Sequence, residues 1–495
     1  MTRRWRWMVV ALVGAMLAPV PIGRAEAGPP ACDKRNNNTI DKLLECVTLA
    51  GVREHQQALQ QIADANGGNR FSGLPGHDRS VDYVVSRLRA AGYAPVVQPF
   101  DYFAFVELGP SALQQTAPGT VTYVQGVDFG VIDQSDPGDV TAAVTAVDLQ
   151  LGLNNTSTSG CEATDFAGFP AGNIALLQRG FCTFEQKAEN AAAAGAVGIV
   201  IFNQGNLATA DRQGIPAVTL TANNTSGIPV LGTTYALGAT LAGTQGLRMR
   251  VFANTVRETK TTYNVLAETS SGNADNVVMV GAHLDSVGAG PGINDNGSGS
   301  AAILEVAESM QKVKPTNKVR FAWWGAEESG LVGSRFYVNS LSAAEQAKIA
   351  LYLNFDMVGS PNYVRFVYDG SGDVGPAGPA GSAAIEDFFN GFYAARGLAS
   401  EPTAFDGRSD YGPFIAAGVD IPAGGLFTGA EGVKTPAQAA IYGGTAGRPF
   451  DPCYHQACDT FANNNDAVLD LNSDAVAAAT LTYAMSTVTV NGIPG

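Results

Sequence analysis

The residues best suited to chemistry lie near the middle of the chain, at the end of an apolar run. The run Val277 to Val280 leads into His283, Asp285 follows two residues later, and Asp295 lies ten residues further on in a glycine-rich turn. An imidazole nitrogen and carboxylate oxygens are ligands that zinc and other divalent cations accept in proteins. Because ligands bind at the carboxyl ends of strands in open α/β sheets, this stretch predicts one half of a metal site.

Three further segments place metal-binding groups at the end of a predicted strand or in a short loop. Glu327 and Glu328 follow one apolar strand, Asp356 closes the next, and His455 lies in a loop that a disulfide can close. Because side chains alternate in direction at a strand end, one glutamate can bind a metal while its neighbour points at the space beside it. A buried carboxylate such as Asp356 is costly unless it is paired or bound to a cation.

Each of these residues, taken alone, has an ordinary explanation. His283 could be structural, the adjacent glutamates could be solvated, and Asp295 could cap the helix that follows it. The joint occurrence of imidazoles and carboxylates at strand ends of one α/β segment favours a metal site instead. His55 and His77 lack such neighbours, and we expect them at the surface or in turns.

The elements that must position these residues form a pattern of alternating strands and helices. From about residue 261 to a long final helix at 465–483 the pattern is typical of a doubly wound α/β sheet. Between residues 116 and 255 the chain changes to short strand-like runs with few charges. We therefore expect a catalytic domain with a doubly wound mixed sheet, made of residues 28–115 and 256–495, with a β-rich insert at 116–255.

Charge and the N-terminus indicate an exported protein. The net charge of −15 and the sequence pI near 4.7 argue against nucleic acid and anionic membranes as partners. A basic start, an apolar stretch at 8–20 and a small-residue cleavage site at 25–27 predict a signal peptide over residues 1–27, and hence a secreted protein. A membrane anchor is the alternative, although the stretch is short for a span, and the arginine pair leaves a twin-arginine export route open.

The six cysteines fit an oxidising compartment, where cysteines pair. Fifteen connectivities exist in principle, and free buried thiols are the alternative. Proximity in the sequence favours three local pairs, which are Cys32–Cys46, Cys161–Cys182 and Cys453–Cys458.

Residues 172–205 resemble the protease-associated (PA) domain. The signature residues are Arg179 to Phe184, Lys187 and the Asn190–Ala191 pair. The resemblance implies an insert beside a catalytic domain that acts as a lid or a substrate filter. A plain βαβ spacer is the alternative.

Six motifs in the second half of the chain resemble the di-zinc aminopeptidases of the leucyl aminopeptidase and aminopeptidase Y type. They are GAHLDSV, GINDNGSG, WGAEESGLVGS, NFDMVGS, GRSDYGPF and CYHQACDT, in that order between residues 281 and 460, and NRFSGLPG at 69–76 adds to them. The resemblance implies a phosphorylase/hydrolase-like zinc-exopeptidase fold. It also implies release of the N-terminal residue from peptides with a free N-terminus, with large apolar residues such as leucine preferred.

The resemblance also implies a ligand for each cation. On this basis His283 and Asp356 hold one zinc ion, Glu328 and His455 hold the other, and Asp295 bridges both. Two neighbouring cations need a bridging carboxylate to limit their repulsion, and they can share and activate a water.

Other residues have supporting roles in the same resemblance. Glu327 is the general base, Tyr454 stabilises the oxyanion, and Asp285 orients His283, as metal-bound imidazoles usually require. A non-proline cis peptide is implied between Asp295 and Asn296. The first side chain of the substrate should lie in a pocket around residues 409–411 and 423–425.

Several alternatives stay open at this point. Asp470 and Asp474 resemble calcium-binding positions of secreted relatives, but a solvated acidic pair at this spacing is an equal alternative. A di-zinc carboxypeptidase or dipeptidase of the same fold would need a basic residue for a free carboxylate, and Arg408 is the obvious candidate in these motifs. A binding ectodomain without zinc should lack ligands or the base, all of which are present here. We expect a monomer.

Overall fold

The computed structural model describes residues 32, 34–216, 218–221 and 224–493. The predicted signal peptide, residues 1–27, lies outside the described residues. In the part of the chain that is described, no helix combines the length and the apolar character needed to cross a bilayer.

The strands form two separate sheets of eight strands each within the described residues. In chain order the strands are β1 (Val96–Glu107), β2 (Ala112–Ala117), β3 (Val121–Thr122), β4 (Phe129–Val131), β5 (Gly138–Ala146), β6 (Ile174–Gln178), β7 (Gly198–Phe202), β8 (Val230–Thr233), β9 (Arg248–Ala253), β10 (Thr255–Glu268), β11 (Asn273–His283), β12 (Asn317–Trp324), β13 (Ile349–Phe355), β14 (Phe366–Tyr368), β15 (Glu401–Thr403) and β16 (Ala423–Phe427).

The helices of the described residues are named in the same way. They are α1 (Ile40–Leu44), α2 (Leu49–Ala65), α3 (Pro75–Ala90), α4 (Phe184–Ala193), α5 (Ala210–Gln213), α6 (Tyr235–Ala242), α7 (Gly297–Ser309), α8 (Val332–Ser340), α9 (Ala343–Gln346), α10 (Ser382–Ala394), α11 (Gly412–Ile415), α12 (Pro436–Tyr442), α13 (Asp466–Met485) and α14 (Val488–Asn491).

The first sheet has the strand order β1-β10-β12-β11-β13-β16-β14-β15. The four central strands from β12 to β16 are parallel, whereas β1 and β10 add an antiparallel edge. The central strands are buried on both faces, which explains why their sequences are continuous apolar runs rather than alternating ones. The predicted doubly wound mixed sheet is confirmed.

Helices cover both faces of this sheet. Alternate residues of β11 point to opposite sides, so that Val278 and Val280 pack with α2, α3, α7 and α13, while Val277 and Met279 pack with α8 and α11. The N-terminal helices thus complete the core of a domain whose strands lie mostly after residue 254.

The second sheet lies between β1 and β10 in the chain and has the order β3-β2-β9-β5-β6-β7-β8-β4. Its parallel part contains the predicted strand–helix–strand unit, observed as β6, α4 and β7. The three predicted disulfides, Cys32–Cys46, Cys161–Cys182 and Cys453–Cys458, are all present.

The expectation for His55 and His77 was wrong, because both are buried in helices. His55 lies on the face of α2 that also buries Val52 and Leu59, and its Nδ1 is 2.8 Å from the Tyr83 hydroxyl. His77 lies in the first turn of α3, which begins at Pro75 directly after the turn at 72–74. Both side chains fall on the apolar stripe by which their helix packs against the domain.

Candidate active site and metal centre

Three neighbouring parallel strands bring the predicted groups to one edge of the first sheet. β11 ends at His283, β12 leads into Glu327 and Glu328, and β13 ends one residue before Asp356. The strands lie in the order β12-β11-β13, so their carboxyl ends are adjacent. The site therefore lies where ligands bind in open α/β sheets.

Asp295, from the turn before α7, lies between two histidines. One of its carboxylate oxygens is 3.2 Å from His283 Nε2, and the other is 3.3 Å from His455 Nε2. Asp356 Oδ1 is 3.3 Å from the same nitrogen of His283, and Glu328 Oε2 is 3.0 Å from that of His455. The structure thus brings all five predicted ligands together, in two sets that share Asp295.

Asp295 does not cap the helix that follows it. Asn296 is the N-cap of α7, because its side-chain oxygen accepts a hydrogen bond from the backbone N–H of Gly299 at 2.9 Å. The Asp295 carboxylate therefore faces the two histidines without serving the helix. The peptide bond between Asp295 and Asn296 is cis, as the resemblance implied.

Glu327 and Asp285 lie beside this group. Glu327 Oε2 is 3.9 Å from His283 Nε2, and the residue is 8% exposed. Asp285 lies behind the His283 ring, with its backbone carbonyl oxygen 3.2 Å and its carboxylate 3.6 Å from Nδ1. The Asp285 carboxylate also accepts a hydrogen bond from the backbone N–H of Glu327 at 3.2 Å. Asp285 thus connects the imidazole to the predicted base.

The donor set fits divalent cations. Glu328 Oε1 and Asp356 Oδ1 are buried and have no hydrogen-bond partner. Ligand atoms of His283, Asp295 and Glu328 lie within 4.8 Å of one another, as do those of His283, Glu327 and Asp356. Because unpaired buried carboxylates are costly, a cation shared by imidazole and carboxylate would stabilise the group.

The pKa values of these side chains reflect how closely the buried carboxylates and imidazoles lie together. Burial and the neighbouring Asp295 raise the pKa of Glu328 to about 7, and burial raises the pKa of Glu327 well above its usual range. Burial would lower the pKa of His455, but hydrogen bonds with Asp295 and Glu328 raise it to about 10. Without cations the site therefore retains protons, and metal binding must displace them.

Two buried charged residues form hydrogen bonds with the backbone of the turn that contains Asp295. Neither was among the predicted site residues. Asp459 accepts a hydrogen bond from the backbone N–H of Asp295 at 2.9 Å. Arg70 donates to the backbone carbonyl of Gly292 at 2.6 Å. Asp459 lies in the motif CYHQACDT and Arg70 in the motif NRFSGLPG. Membership of these motifs was the signal in the sequence that could have identified them.

Tyr454 lies beside His455, with the two rings stacked at a centroid distance of 3.8 Å. Its hydroxyl oxygen accepts a hydrogen bond from Arg408 Nη2 at 3.1 Å, and Arg408 also forms an ion pair with Glu431 at 2.9 Å. Burial raises the pKa of the Tyr454 hydroxyl well above its usual range, so the hydroxyl stays protonated.

The five predicted ligands, His283, Asp295, Glu328, Asp356 and His455, are called the metal-binding group below. A small pocket of about 70 Å³ opens from this group. Its apolar lining includes Tyr368, Tyr411 and Phe427. Of the residues expected around a substrate pocket, Ser409 and Tyr411 line this one, whereas 423–425 do not, because they are buried inside β16. The aromatic walls could not be assigned from spacing, since they come from separate segments of the chain.

Asp470 and Asp474 lie one turn apart on α13. Asp470 is exposed, while burial and the neighbouring Asp470 raise the pKa of Asp474 to about 6. In the described part of the chain, no third histidine, cysteine or acidic side chain joins them in a compact ligand group. Calcium binding at this acidic pair therefore stays a prediction.

Comparisons with known proteins agree with this geometry. The model of peptidase family M28 matches residues 264–480, and that of the PA domain matches residues 140–241. An aminopeptidase of Pseudomonas aeruginosa is 55% identical over 450 residues, which cover 91% of this chain and 83% of the relative. Leucine aminopeptidase 2 of Trichophyton rubrum is 40% identical over 90% of this chain and 86% of its own length.

Solved structures show the same fold. The chain is similar to the aminopeptidase from Aneurinibacillus sp. strain AM-1, with 27% identity, a TM-score of 0.60, and coverage of 89% of this chain and 95% of the other. It also shares its fold with a zinc aminopeptidase from Bacillus subtilis, with 24% identity, a TM-score of 0.60, and coverage of 90% and 98%.

The matches confirm the expected exopeptidase fold and identify the insert as a PA domain rather than a plain spacer. They also confirm the prediction of an enzyme over that of a binding ectodomain. The chain belongs to peptidase family M28, carries an inserted PA domain, and is a hydrolase that acts on peptides.

Proposed function

We propose that this enzyme is a two-zinc aminopeptidase that removes the N-terminal residue from peptides, with a preference for large apolar residues such as leucine. The observation that carries the proposal is the position of Asp295, whose two carboxylate oxygens face His283 and His455 at 3.2 and 3.3 Å. A shared carboxylate offsets the repulsion between two neighbouring cations. The names of the relatives, aminopeptidase and leucine aminopeptidase 2, support the same activity.

The proposed ligands follow from the two sets described above. His283 and Asp356 would hold one zinc ion, Glu328 and His455 the other, and Asp295 both. When bound, two zinc ions supply a Lewis acid for the scissile carbonyl and lower the pKa of the attacking water.

Glu327 is the proposed proton carrier. Its carboxylate is buried beside the metal-binding group, and burial raises its pKa well above the usual range for glutamate. A raised pKa suits a group that takes a proton from water and later returns it to the leaving amine.

Tyr454 is the proposed donor to the developing oxyanion. Because Arg408 donates to the hydroxyl oxygen of Tyr454 at 3.1 Å, the hydroxyl hydrogen remains available to the substrate. A donor held in place before the reaction stabilises negative charge that forms in the transition state.

The substrate's free amino group is proposed to lie against Asp356 and Glu327, which both line the small pocket. The pocket has room for one side chain, with the aromatic rings of Tyr368 and Phe427 as apolar walls. A site that forms an ion pair with the substrate's ammonium group and encloses one side chain selects the first residue of a peptide. The enzyme would therefore act from the N-terminus.

The carboxypeptidase alternative has less support from the contacts. Arg408, the basic residue proposed for a free carboxylate, is already paired with Glu431 and hydrogen-bonded to Tyr454. Binding a substrate carboxylate would require breaking this ion pair.

Hydrolysis of leucine p-nitroanilide, compared with its N-acetyl derivative, tests the proposal. Acetylation removes the charge that Asp356 and Glu327 would pair, so we expect kcat/KM to fall by at least about 100-fold. The p-nitroanilides of alanine and lysine serve as comparisons for the apolar preference. Retained cleavage of the acetylated substrate would contradict an aminopeptidase.

The remaining expectations are proposals as well. Residues 1–27 are proposed as a signal peptide of a secreted monomer, and the three disulfides support an oxidising compartment. The proposed domain bounds are 28–115 and 256–495 for the catalytic domain and 116–255 for the insert. Calcium binding at Asp470 and Asp474 stays a prediction beside the alternative of an acidic pair without a cation.

A further inference from the structure

A second and much larger cavity opens on the other side of the metal-binding group. This cleft has a volume of about 860 Å³, against about 70 Å³ for the small pocket. Its walls include Phe71, the end of β1 at Phe105–Val106, and the loop 287–289. Gln125, from the connection between β3 and β4 of the second sheet, closes its far end, where it donates to the Glu107 carboxylate at 2.9 Å.

The two cavities meet at the metal-binding group. Glu328 and His455 line both of them, whereas Asp356 and Glu327 line the small pocket alone. A substrate whose amino group lies against Asp356 and Glu327 therefore places its first side chain in the small pocket. The part of the peptide that follows the cleaved bond would then extend into the cleft.

The cleft offers no positive charge to a substrate carboxylate. Among the described residues, no lysine or arginine lines it, and its two carboxylates belong to Glu107 and to Glu328, a proposed zinc ligand. Its one imidazole, His455, is a proposed zinc ligand. The four carboxylates of Asp295, Glu327, Glu328 and Asp356 balance the charge of two divalent cations, so the metal centre adds no surplus positive charge.

We infer that the substrates of this enzyme are peptides of three or more residues with apolar residues after the first, and that dipeptides with a free carboxylate are poor substrates. The inference rests on the proposed aminopeptidase function and names its substrate class. A dipeptide would place its carboxylate in a cleft without a basic side chain, whereas a longer peptide places an uncharged peptide bond there. The apolar walls would then contact the side chains that follow.

The test compares kcat/KM for Leu-Phe, Leu-Phe-amide and Leu-Phe-Ala-Ala with the zinc-loaded enzyme at about pH 8, where the substrate carboxylate is ionised. We expect the amide and the tetrapeptide to exceed the free dipeptide by at least about tenfold, because a carboxylate that leaves water without gaining a basic partner is strongly disfavoured. Equal values for the dipeptide and its amide would overturn the inference.

A gain-of-function variant sharpens the test. Ala289 is exposed on the loop 287–289, which follows β11 in the chain. In space this loop lies between the end of β1 and the Cys453–Cys458 loop. Ala289→Arg places a cation in the cleft, and we expect it to reduce the preference for Leu-Phe-amide over Leu-Phe by about fivefold. Ala289→Gln, of similar length without the charge, should keep the wild-type preference.

The outcomes separate the inference from the function on which it rests. Identical preferences in Ala289→Arg and Ala289→Gln would overturn the inference while leaving the aminopeptidase intact. Failure to hydrolyse even leucine p-nitroanilide would instead overturn the proposed function.

Discussion

Asp295 is the residue on which the proposed metal centre depends, since each of its oxygens faces a different histidine. The neighbouring residues support this position from the backbone. Asp459 accepts the hydrogen bond of the Asp295 N–H, and Asn296 takes over the capping of α7. Consequently the carboxylate that would bridge two cations has no competing partner among the helix N–H groups.

Glu327 gives the clearest prediction at the scale of one residue. Glu327→Gln keeps the shape of the side chain and removes its ability to take a proton. We expect both zinc ions to remain bound, while kcat for leucine p-nitroanilide falls by about 10²–10⁴-fold, the usual contribution of a general base. Zinc content and turnover are measured on the same preparation.

A matched control for this variant is Glu258→Gln, an exposed glutamate on β10 that pairs with Lys260. It should keep wild-type turnover and zinc content. Because Glu327 also lies within 4.8 Å of His283 and Asp356 ligand atoms, a loss of zinc in Glu327→Gln would show that it is a ligand rather than the base.

Single residues were predicted well where they lie at the end of an apolar strand, and less well elsewhere. His283 and Asp356 follow such strands, so their side chains had to meet at one sheet edge. The burial of His55 and His77 was missed, because a histidine on a helix gives no signal in the sequence about which neighbours cover it. The support from Arg70 depends on a contact with Gly292 across more than two hundred residues, which no local pattern reveals.

The central elements of the catalytic sheet were predicted within a few residues. The apolar run that leads into His283 is observed as β11, and the strand expected to close at Asp356 is observed as β13. The antiparallel pairing of β1 with β10 was not predicted, since it joins segments more than 140 residues apart. The short edge strands β14 and β15 are too brief for a periodic pattern.

The loop closed by Cys453–Cys458 is the element that presents His455 and Tyr454. Without the cross-link the loop gains conformational freedom, and holding His455 near Glu328 then costs more entropy. We expect the double variant Cys453→Ser, Cys458→Ser to lose zinc from the Glu328–His455 set and to lower kcat/KM for leucine p-nitroanilide by at least about tenfold.

The corresponding control is the double variant Cys161→Ser, Cys182→Ser in the PA domain, which lies away from the metal-binding group. It should retain zinc even if the insert becomes less stable. Equal zinc loss in both double variants would indicate a general effect of removing a disulfide rather than a role for the loop.

Lys187 on α4 supplies a pH-dependent prediction for the PA domain. The side chain is buried and donates to the backbone carbonyl of Ser159, and burial lowers its pKa to about 8. An unfolded lysine has a pKa near 10.4. Between these values the unfolded chain binds more protons than the folded one, so the contribution of Lys187 to stability rises with pH.

The measurement is the free energy of unfolding of wild type and Lys187→Met in denaturant at several pH values. From about pH 8 to 10, the free energy of unfolding of the wild type should rise relative to that of Lys187→Met. Lys312→Met, at an exposed lysine, should show no such trend. A difference that is constant with pH would show that Lys187 keeps its proton in the folded protein.

The whole molecule combines two sheets, and the functional site lies where they approach each other. The metal-binding group belongs to the first sheet, whereas the far end of the large cleft is closed by Gln125 from the second. The second sheet therefore contributes, through Gln125, to the space that a peptide would occupy. This arrangement could be expected from the resemblance to PA-containing peptidases, but the cleft and its lack of basic residues became visible only in the folded chain.

The central claim is that two zinc ions, joined by Asp295, are required for peptide hydrolysis. It is tested most directly by depleting the enzyme of metal with a chelator, titrating zinc back, and measuring bound zinc and leucine p-nitroanilide turnover on the same samples. Asp295→Asn is measured alongside, with Asp420→Asn, at an exposed aspartate, as its control.

The account predicts negligible turnover in the depleted enzyme and a rise to a plateau at two zinc ions per chain. Asp295→Asn should lose zinc and activity together, while Asp420→Asn behaves as wild type. Turnover that survives metal removal, a plateau at one zinc ion, or normal zinc content in Asp295→Asn would contradict the account.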